Sequence, residues 1–303
     1  MITAEVSCSP NIALIKYMGK KDEARNIPDN ASLSYTLDHL HTTVKLTLIE
    51  SKNHEWDKKC NLNNTEKNRF LQHLDFLRNQ FHCSAYFTIY SANNFPAGCG
   101  LASSASSFAA LTQCVVSALG LKLSLEEIAA LSRHGSGSSC RSFFSPWALW
   151  KEKEVNKIDL PYAHLIHRVI VVSKEKKLIS SSEAHRYVKT SGLFENRAKR
   201  AETRLENLVR SFECRDWEKS YKIIWQEFWD MHALFETAEY PFGYMSSDAL
   251  KVLTYLREYW QSHQDGPLIT MDAGPNVHLL FREDQHNMAQ TITDFFSTQF
   301  LVL

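Results

Sequence analysis

Apolar residues recur along this chain at two spacings, and the switches between them mark its elements. Residues 42–49 alternate apolar and polar side chains, which predicts a half-exposed strand. Residues 11–15 and 169–172 are short, continuous apolar runs and predict buried strands; residues 85–90, aromatic and β-branched, predict another. Over residues 66–81 the spacing changes to that of a helix, with Phe70, Leu74, Leu77 and Phe81 on one face. Phe108, Leu111, Val115 and Leu119 repeat that spacing. Ser124-Leu125-Glu126-Glu127 reads as a capping box opening a helix to about Arg133, which Gly135 stops.

Beyond residue 167 the balance shifts to helix. Residues 184–212 and 216–235 form long charged amphipathic stretches, and 246–262 predicts a third helix. Two short strands, 268–271 and 277–281, flank the turn Asp272-Ala273-Gly274-Pro275-Asn276, and a last helix begins near Asp284. The pattern is α+β in two halves, divided as 1–166 and 167–303.

The chain has 303 residues, room for two domains sharing a cleft. Its 34 basic and 34 acidic residues cancel, so no overall field draws it to nucleic acid or to a membrane surface. Seven scattered cysteines without a C-x-x-C pair read as free thiols in a reducing compartment. No basic and apolar leader opens the chain and no apolar run nears the length of a membrane span, so the expectation is a cytoplasmic protein.

Candidate chemistry gathers in five places. The segment 94–105 runs from a strand through Pro96, Ala97, Gly98, Cys99, Gly100, Leu101 and Ala102 to Ser103 and Ser104 in a first helical turn. Such a turn cradles phosphate with backbone N–H groups, and the serine hydroxyls suit a phosphate-bound Mg²⁺; alone, it equally makes a tight turn. It has neither the P-loop nor the dinucleotide-binding spacing. Gly135-Ser136-Gly137-Ser138-Ser139-Cys140-Arg141-Ser142 joins small residues and hydroxyls to a guanidinium that fits carboxylate or phosphate; a flexible linker is the alternative. Asn11, Lys16, Tyr17 and Lys20 cluster at one strand end, as a phosphate clamp or as solvated amines. Asp272 is either a turn former or a base held at a cleft. Residues 174–182 form a solvated basic loop or a lid over phosphates. His39 and His41 read as part of a polar strand or turn rather than a metal pair, and Cys99 and Cys140 as small packing residues.

Taken together these segments resemble the GHMP kinase superfamily and, within it, the mevalonate diphosphate decarboxylases. Five motifs carry the resemblance in order: residues 9–20, 27–34, 93–110, 135–142 and 271–276. The resemblance implies a two-domain fold, with an N-terminal half like domain 2 of ribosomal protein S5, a ferredoxin-like C-terminal half and the active site in the cleft between them. It implies an ATP- and Mg²⁺-dependent decarboxylation of mevalonate 5-diphosphate to isopentenyl diphosphate, ADP, phosphate and CO₂, by a homodimer.

By the same resemblance, Asp272, Arg141 and Lys16 are catalytic: Asp272 acts on the substrate 3-hydroxyl, Arg141 holds the carboxylate, and Lys16 completes the polar network with Asn11. Tyr17, Lys20, Ser136, Gly137 and Ser138 take the diphosphate, residues 96–104 the ATP phosphates and Mg²⁺, and Ser181 approaches the γ-phosphate. Four departures stand out: Met18 for an aromatic residue, Ser145-Pro146 for two glycines, Ala184-His185 for Gly-Met, and Ser182 where some members place an arginine. These leave open a mevalonate 3-kinase or phosphomevalonate decarboxylase; a non-catalytic nucleotide- or isoprenoid-phosphate-binding regulator is a more remote alternative, since both Asp272 and Arg141 are present.

Overall fold

The computed structural model describes residues 3–96, 103–175 and 179–303. Its N-terminal half holds β1 (Thr3–Cys8), β2 (Asn11–Ile15), β3 (Lys20–Asp22), β4 (Ile27–Pro28), β5 (Ser32–Thr36), β6 (Thr42–Ile49) and β7 (Glu55–Trp56). α1 (Asn64–Gln80), β8 (Tyr86–Asn93), α2 (Ser103–Ala118), α3 (Leu125–Gly135), β9 (Trp147–Lys151) and β10 (Glu154–Lys157) complete it. The second half holds β11 (Leu165–Val171), α4 (Ser181–Tyr187), α5 (Arg197–Glu213), α6 (Trp217–Glu236) and α7 (Ser247–His263). It closes with β12 (Leu268–Met271), β13 (Val277–Arg282), α8 (His286–Ser297) and β14 (Leu301–Val302).

Three four-stranded sheets organise these elements, in the orders β1-β6-β8-β7, β10-β9-β5-β2 and β12-β13-β11-β14, and β3 pairs with β4 in a two-stranded one. The alternation over residues 42–49 is realised in β6, whose Val44 and Leu46 face a core shared with Phe70, Leu74 and Leu77 of α1 and Leu111 and Val115 of α2. β2 and β5 are buried at every position because sheet and helices cover both faces. Their Ile12, Leu14, Ile15 and Leu33 belong to the same apolar core as Ile224 and Phe228 of α6 and Ile269 of β12. The two halves therefore share packing directly beneath the strand end that carries Lys16.

Several expectations hold closely. The capping box at Ser124 is formed in both directions, and strand 268–271 has the expected limits. Trp217, Tyr221, Phe228 and Phe235 are core residues. The helix expected over 184–212 is instead broken. α4 ends at Tyr187, Val188–Thr190 is a 3-10 turn, and α5 starts at Arg197. Local hydroxyl bonding competes with the helix there: Thr190 Oγ1 donates to the Tyr187 carbonyl at 2.7 Å, and Ser191 Oγ accepts the Leu193 N–H at 3.1 Å. The last helix begins at His286, after a 3-10 turn over Glu283–Gln285. Residues 38–39 form a turn, where His39 meets His167 at 3.2 Å; no group of three His, Cys, Asp or Glu able to hold a metal occurs among the described residues. No helix among them is long and apolar enough to cross a membrane.

Candidate active site

The chain between β2 and β3 must turn sharply, and Gly19 does so at φ +93°. A Cβ there would lie 2.7 Å from the Phe194 ring, so both conformation and space call for glycine. Lys16 and Tyr17 precede this turn and Lys20 follows it. The peptide of Lys16 is clamped on both sides. Its N–H donates to Glu227 Oε1 at 2.9 Å, and its carbonyl accepts from Asn30 Nδ2 at 2.9 Å and Arg197 Nη2 at 3.3 Å. Glu227 is wholly buried and bonded to the Arg197 guanidinium, with Arg204 Nη1 donating to its other oxygen at 3.0 Å. A buried ion pair from α5 and α6 thus fixes the backbone that carries Lys16.

Lys16 is only 2% exposed, and its Nζ donates to Asp272 Oδ1 at 2.8 Å. Asp272 follows β12. Gly274 N–H donates to its carbonyl at 2.7 Å, and His232 Nε2–H donates to that same carbonyl at 3.1 Å. The residue is therefore both a turn former and a cleft residue, with 27% of its side chain exposed. Burial pushes its carboxyl upward, but the Lys16 ammonium, then His278, and to a smaller degree Arg141, outweigh burial and hold it below the usual carboxylate range. Burial lowers the Lys16 pKa in turn, against the pull of Asp272. The result is an ionised carboxylate facing the cleft.

Residues 137–143, expected as a loop, form a short 3-10 helix. It carries Arg141 into the interior at 4% exposure. Arg141 Nε donates to Asn11 Oδ1 at 3.0 Å and Nη1 donates to Ser32 Oγ at 2.8 Å; Asn11 Nδ2 donates to Ser142 Oγ at 2.9 Å. Its bonded partners are neutral, so its charge is oriented without being cancelled. Ser136 Oγ lies 3.3 Å from Ser138 Oγ and donates to Ser104 Oγ at 3.5 Å, which joins the start of α2 to this segment. Gly137 packs on the Tyr17 ring, where an added Cβ would sit 3.0 Å from the phenol oxygen.

The polar side chains held by these contacts open on one cavity of about 1010 Å³. Lys16, Tyr17, Lys20, Asn11, Arg141 and Asp272 line it, as do Ser103, Ser104, Ser136, Gly137, Ser138 and Ser181. Five far-apart stretches of sequence thus become one site. Pro96 is half-buried and is not among the cavity walls, and residues 97–102 of the expected phosphate loop lie outside the described residues. Sequence reasoning missed part of the cavity wall, formed by Asn63, Glu66 and Arg69 at the start of α1 with His134. Asn63 and Glu66 form a reciprocal capping box there, a signal present in the sequence as Asn-x-x-Glu. It marks a helix start without saying what that start faces. His185, noted in the sequence only as a departure, also lines the cavity.

Comparison with known proteins places the chain in a family. Residues 8–159 match the model of the diphosphomevalonate decarboxylase-like N-terminal domain, and residues 168–301 match that of the mevalonate 5-diphosphate decarboxylase C-terminal domain. The chain belongs to the diphosphomevalonate decarboxylase family. Its relatives include the diphosphomevalonate decarboxylase of Ganoderma lucidum, 32% identical over 93% of this chain and 79% of that protein. Among solved structures, the mevalonate diphosphate decarboxylase from Legionella pneumophila is 47% identical with a TM-score of 0.93, covering 99% of this chain and 100% of that one. A structure of MDDEF in complex with MVAPP, AMPPCP and magnesium is 30% identical with a TM-score of 0.90, covering 99% of this chain and 96% of that one. The two-domain GHMP kinase fold expected from the sequence is thereby borne out.

Proposed function

We propose that this chain catalyses the ATP-dependent decarboxylation of mevalonate 5-diphosphate to isopentenyl diphosphate, ADP, phosphate and CO₂. The observation that carries the reading is the Lys16–Asp272 pair at 2.8 Å in the same cavity as Arg141, within a family whose structures include a complex with MVAPP and the ATP analogue AMPPCP. A tertiary hydroxyl beta to a carboxylate leaves poorly. Transfer of the ATP γ-phosphoryl to its oxygen makes it a phosphate leaving group. As the C–O bond breaks, electrons from the carboxylate C–C bond form the alkene and CO₂ departs.

The protein supplies position and charge. Asp272, kept ionised by Lys16, orients the 3-hydroxyl and takes its proton. Arg141, already aimed by Asn11 and Ser32, holds the substrate carboxylate. Tyr17, Lys20, Ser136, Gly137 and Ser138 receive the diphosphate. Ala97, Gly98, Cys99, Gly100, Leu101 and Ala102, with Ser103, Ser104 and Ser181, receive the ATP phosphates, whereas Pro96 has no N–H to offer them. Mg²⁺ fits the oxygen donors of Ser103 and Ser104, and when bound it offsets phosphate charge.

The same reading divides the chain at 166/167. That division falls near the start of β11, the first strand of the third sheet, whose other strands all lie beyond it. It further assigns a cytoplasmic homodimer; sedimentation of the purified protein would test the dimer, and fractionation of the cell its compartment.

The deciding experiment incubates the protein with Mg-ATP and mevalonate, its 5-phosphate or its 5-diphosphate, following ADP and CO₂ separately. Both products, with the diphosphate alone, are the expected result. ADP without CO₂ would make the chain a 3-kinase, and preference for the monophosphate would make it a phosphomevalonate decarboxylase. No turnover of any substrate would leave the regulator.

A further inference from the structure

The end of the cavity holding Tyr17 and Lys20 contains a further group of defined chemistry. His185, on α4, is 7% exposed and lines the cavity. Its Nδ1 accepts the Gly19 backbone N–H at 3.0 Å, so the neutral ring carries its hydrogen on Nε2. Gly19 is itself fixed by its turn, which gives the ring a set orientation. The ring lies 4.2 Å, centroid to centroid, from that of Tyr17. Burial, and then the charges of Lys20, Lys189 and Arg141, depress the histidine pKa to about 3. His185 is thus a neutral donor across the physiological range.

Its neighbour Tyr17 has a buried hydroxyl with no hydrogen-bond partner among the described residues. Leaving such a group unpaired costs stability unless a ligand completes it. Lys20 sits 8% exposed beside them, with its Nζ 3.7 Å from Glu23. One end of the cavity therefore presents two directed neutral donors against a cationic wall. That chemistry suits the several acceptor oxygens of a phosphate anion.

We propose that His185 Nε2–H, together with the Tyr17 hydroxyl, binds the diphosphate of the substrate and helps set the preference for a diphosphate over a monophosphate. This rests on the functional reading above, where no role was given to His185. A neutral N–H adds direction without adding charge. It therefore discriminates by where an oxygen lies, whereas the lysine attracts any anion.

Two conservative variants separate ligand binding from support of the Gly19 turn. In His185→Gln the side-chain amide places a donor near the Nε2 position but gives up the acceptor for Gly19. In His185→Asn the carbonyl oxygen replaces Nδ1 and the Nε2 donor is lost. With Mg-ATP and mevalonate 5-diphosphate, the Asn variant is expected to raise KM about 10-fold or more, as for a lost hydrogen bond to a charged group. The Gln variant is expected to stay within about threefold of the native KM, and kcat to change little in either. The reverse order, or native KM in both, would overturn the proposal.

A second readout needs no turnover. The ¹⁵N and ¹H signals of the His185 ring in the native protein should report an Nε2–H tautomer and shift on titration with inorganic pyrophosphate. An unmoved His185 signal at saturating pyrophosphate would overturn the proposal even if both variants were too unstable to assay. If the native protein turns over no mevalonate phosphate yet its His185 signal responds, the functional reading fails while the donor assignment stands.

Discussion

Two groups of buried charge lie one above the other in this molecule, and they are built to opposite ends. Beneath the cavity floor, Arg197, Arg200 and Arg204 meet Glu227 and Asp230, and each guanidinium has a carboxylate partner. In the cavity, Arg141 is about as deeply placed as Arg197, yet no carboxylate lies within ion-pair distance of it among the described residues. The lower cluster is internally complete and sets a backbone, that of Lys16. The upper cluster leaves its charge for something that arrives. A buried guanidinium held by neutral acceptors gives up solvation without recovering it from a counter-ion, so it stabilises the fold little and an incoming carboxylate much.

That contrast breaks or sharpens under substitution. The largest expected effect is Glu227→Gln, which removes one of two carboxylates shared by three arginines and leaves Asp230 alone to offset Arg197, Arg200 and Arg204; urea denaturation should show a loss of about 3–5 kcal/mol. Arg141→Gln should cost less than half of that in the same experiment while lowering kcat/KM on the order of 10²-fold. Equal stability losses at the two positions would remove the distinction. Asp272→Asn comes next: turnover should fall on the order of 10²-fold or more with the fold intact, as for a missing general base. Because Lys16 holds the Asp272 carboxyl below its usual range, kcat should not lose an acid limb from this group until below the ordinary carboxylate pKa.

Acid should also act on stability through buried histidines. His73, 2.9 Å from Thr112 Oγ1, and His185 both have pKa values depressed to about 3. The unfolded chain takes up protons below about pH 6.5 that the folded chain refuses, so stability falls as pH drops from there. At pH 5 each contributes a loss of about 2 kcal/mol relative to pH 7, and His185→Gln should remove its share from the pH–stability curve. The smallest expected effect is Gly137→Ala. Its methyl group would press on the Tyr17 ring at 3.0 Å and shift the hydroxyl, raising KM for the diphosphate several-fold, about 1 kcal/mol, with kcat near native.

The sequence and the structure diverge where local and distant effects compete. Strands such as β6 and β12 were legible because one face, or both, is apolar, and that is a property of consecutive residues. β1, β5 and β9 were not read as strands. Serine and threonine dilute the pattern in β5, and its burial comes from α5 and the neighbouring strands. The break at residues 188–196 escaped the helical pattern because hydroxyl–backbone bonds outweighed a weak local preference. At the site, motif order pointed to Lys16, Arg141 and Asp272, and their shared cavity agrees with it. The wall from α1 had no such signal, and His185 stood in the motif order only as a departure.

By itself the sequence determined the element types with strong periodicity, the small residues at tight turns, and the kinds of functional group on offer. Only the tertiary structure decided which charges are neutralised and which are left waiting. Lys16 and Asp272 stand 256 residues apart and meet at 2.8 Å, whereas Arg141 and Arg197 differ in nothing but their neighbours. Charge is a property of a residue, but its solvation and pairing belong to the space around it, and that space exists only after distant segments have packed.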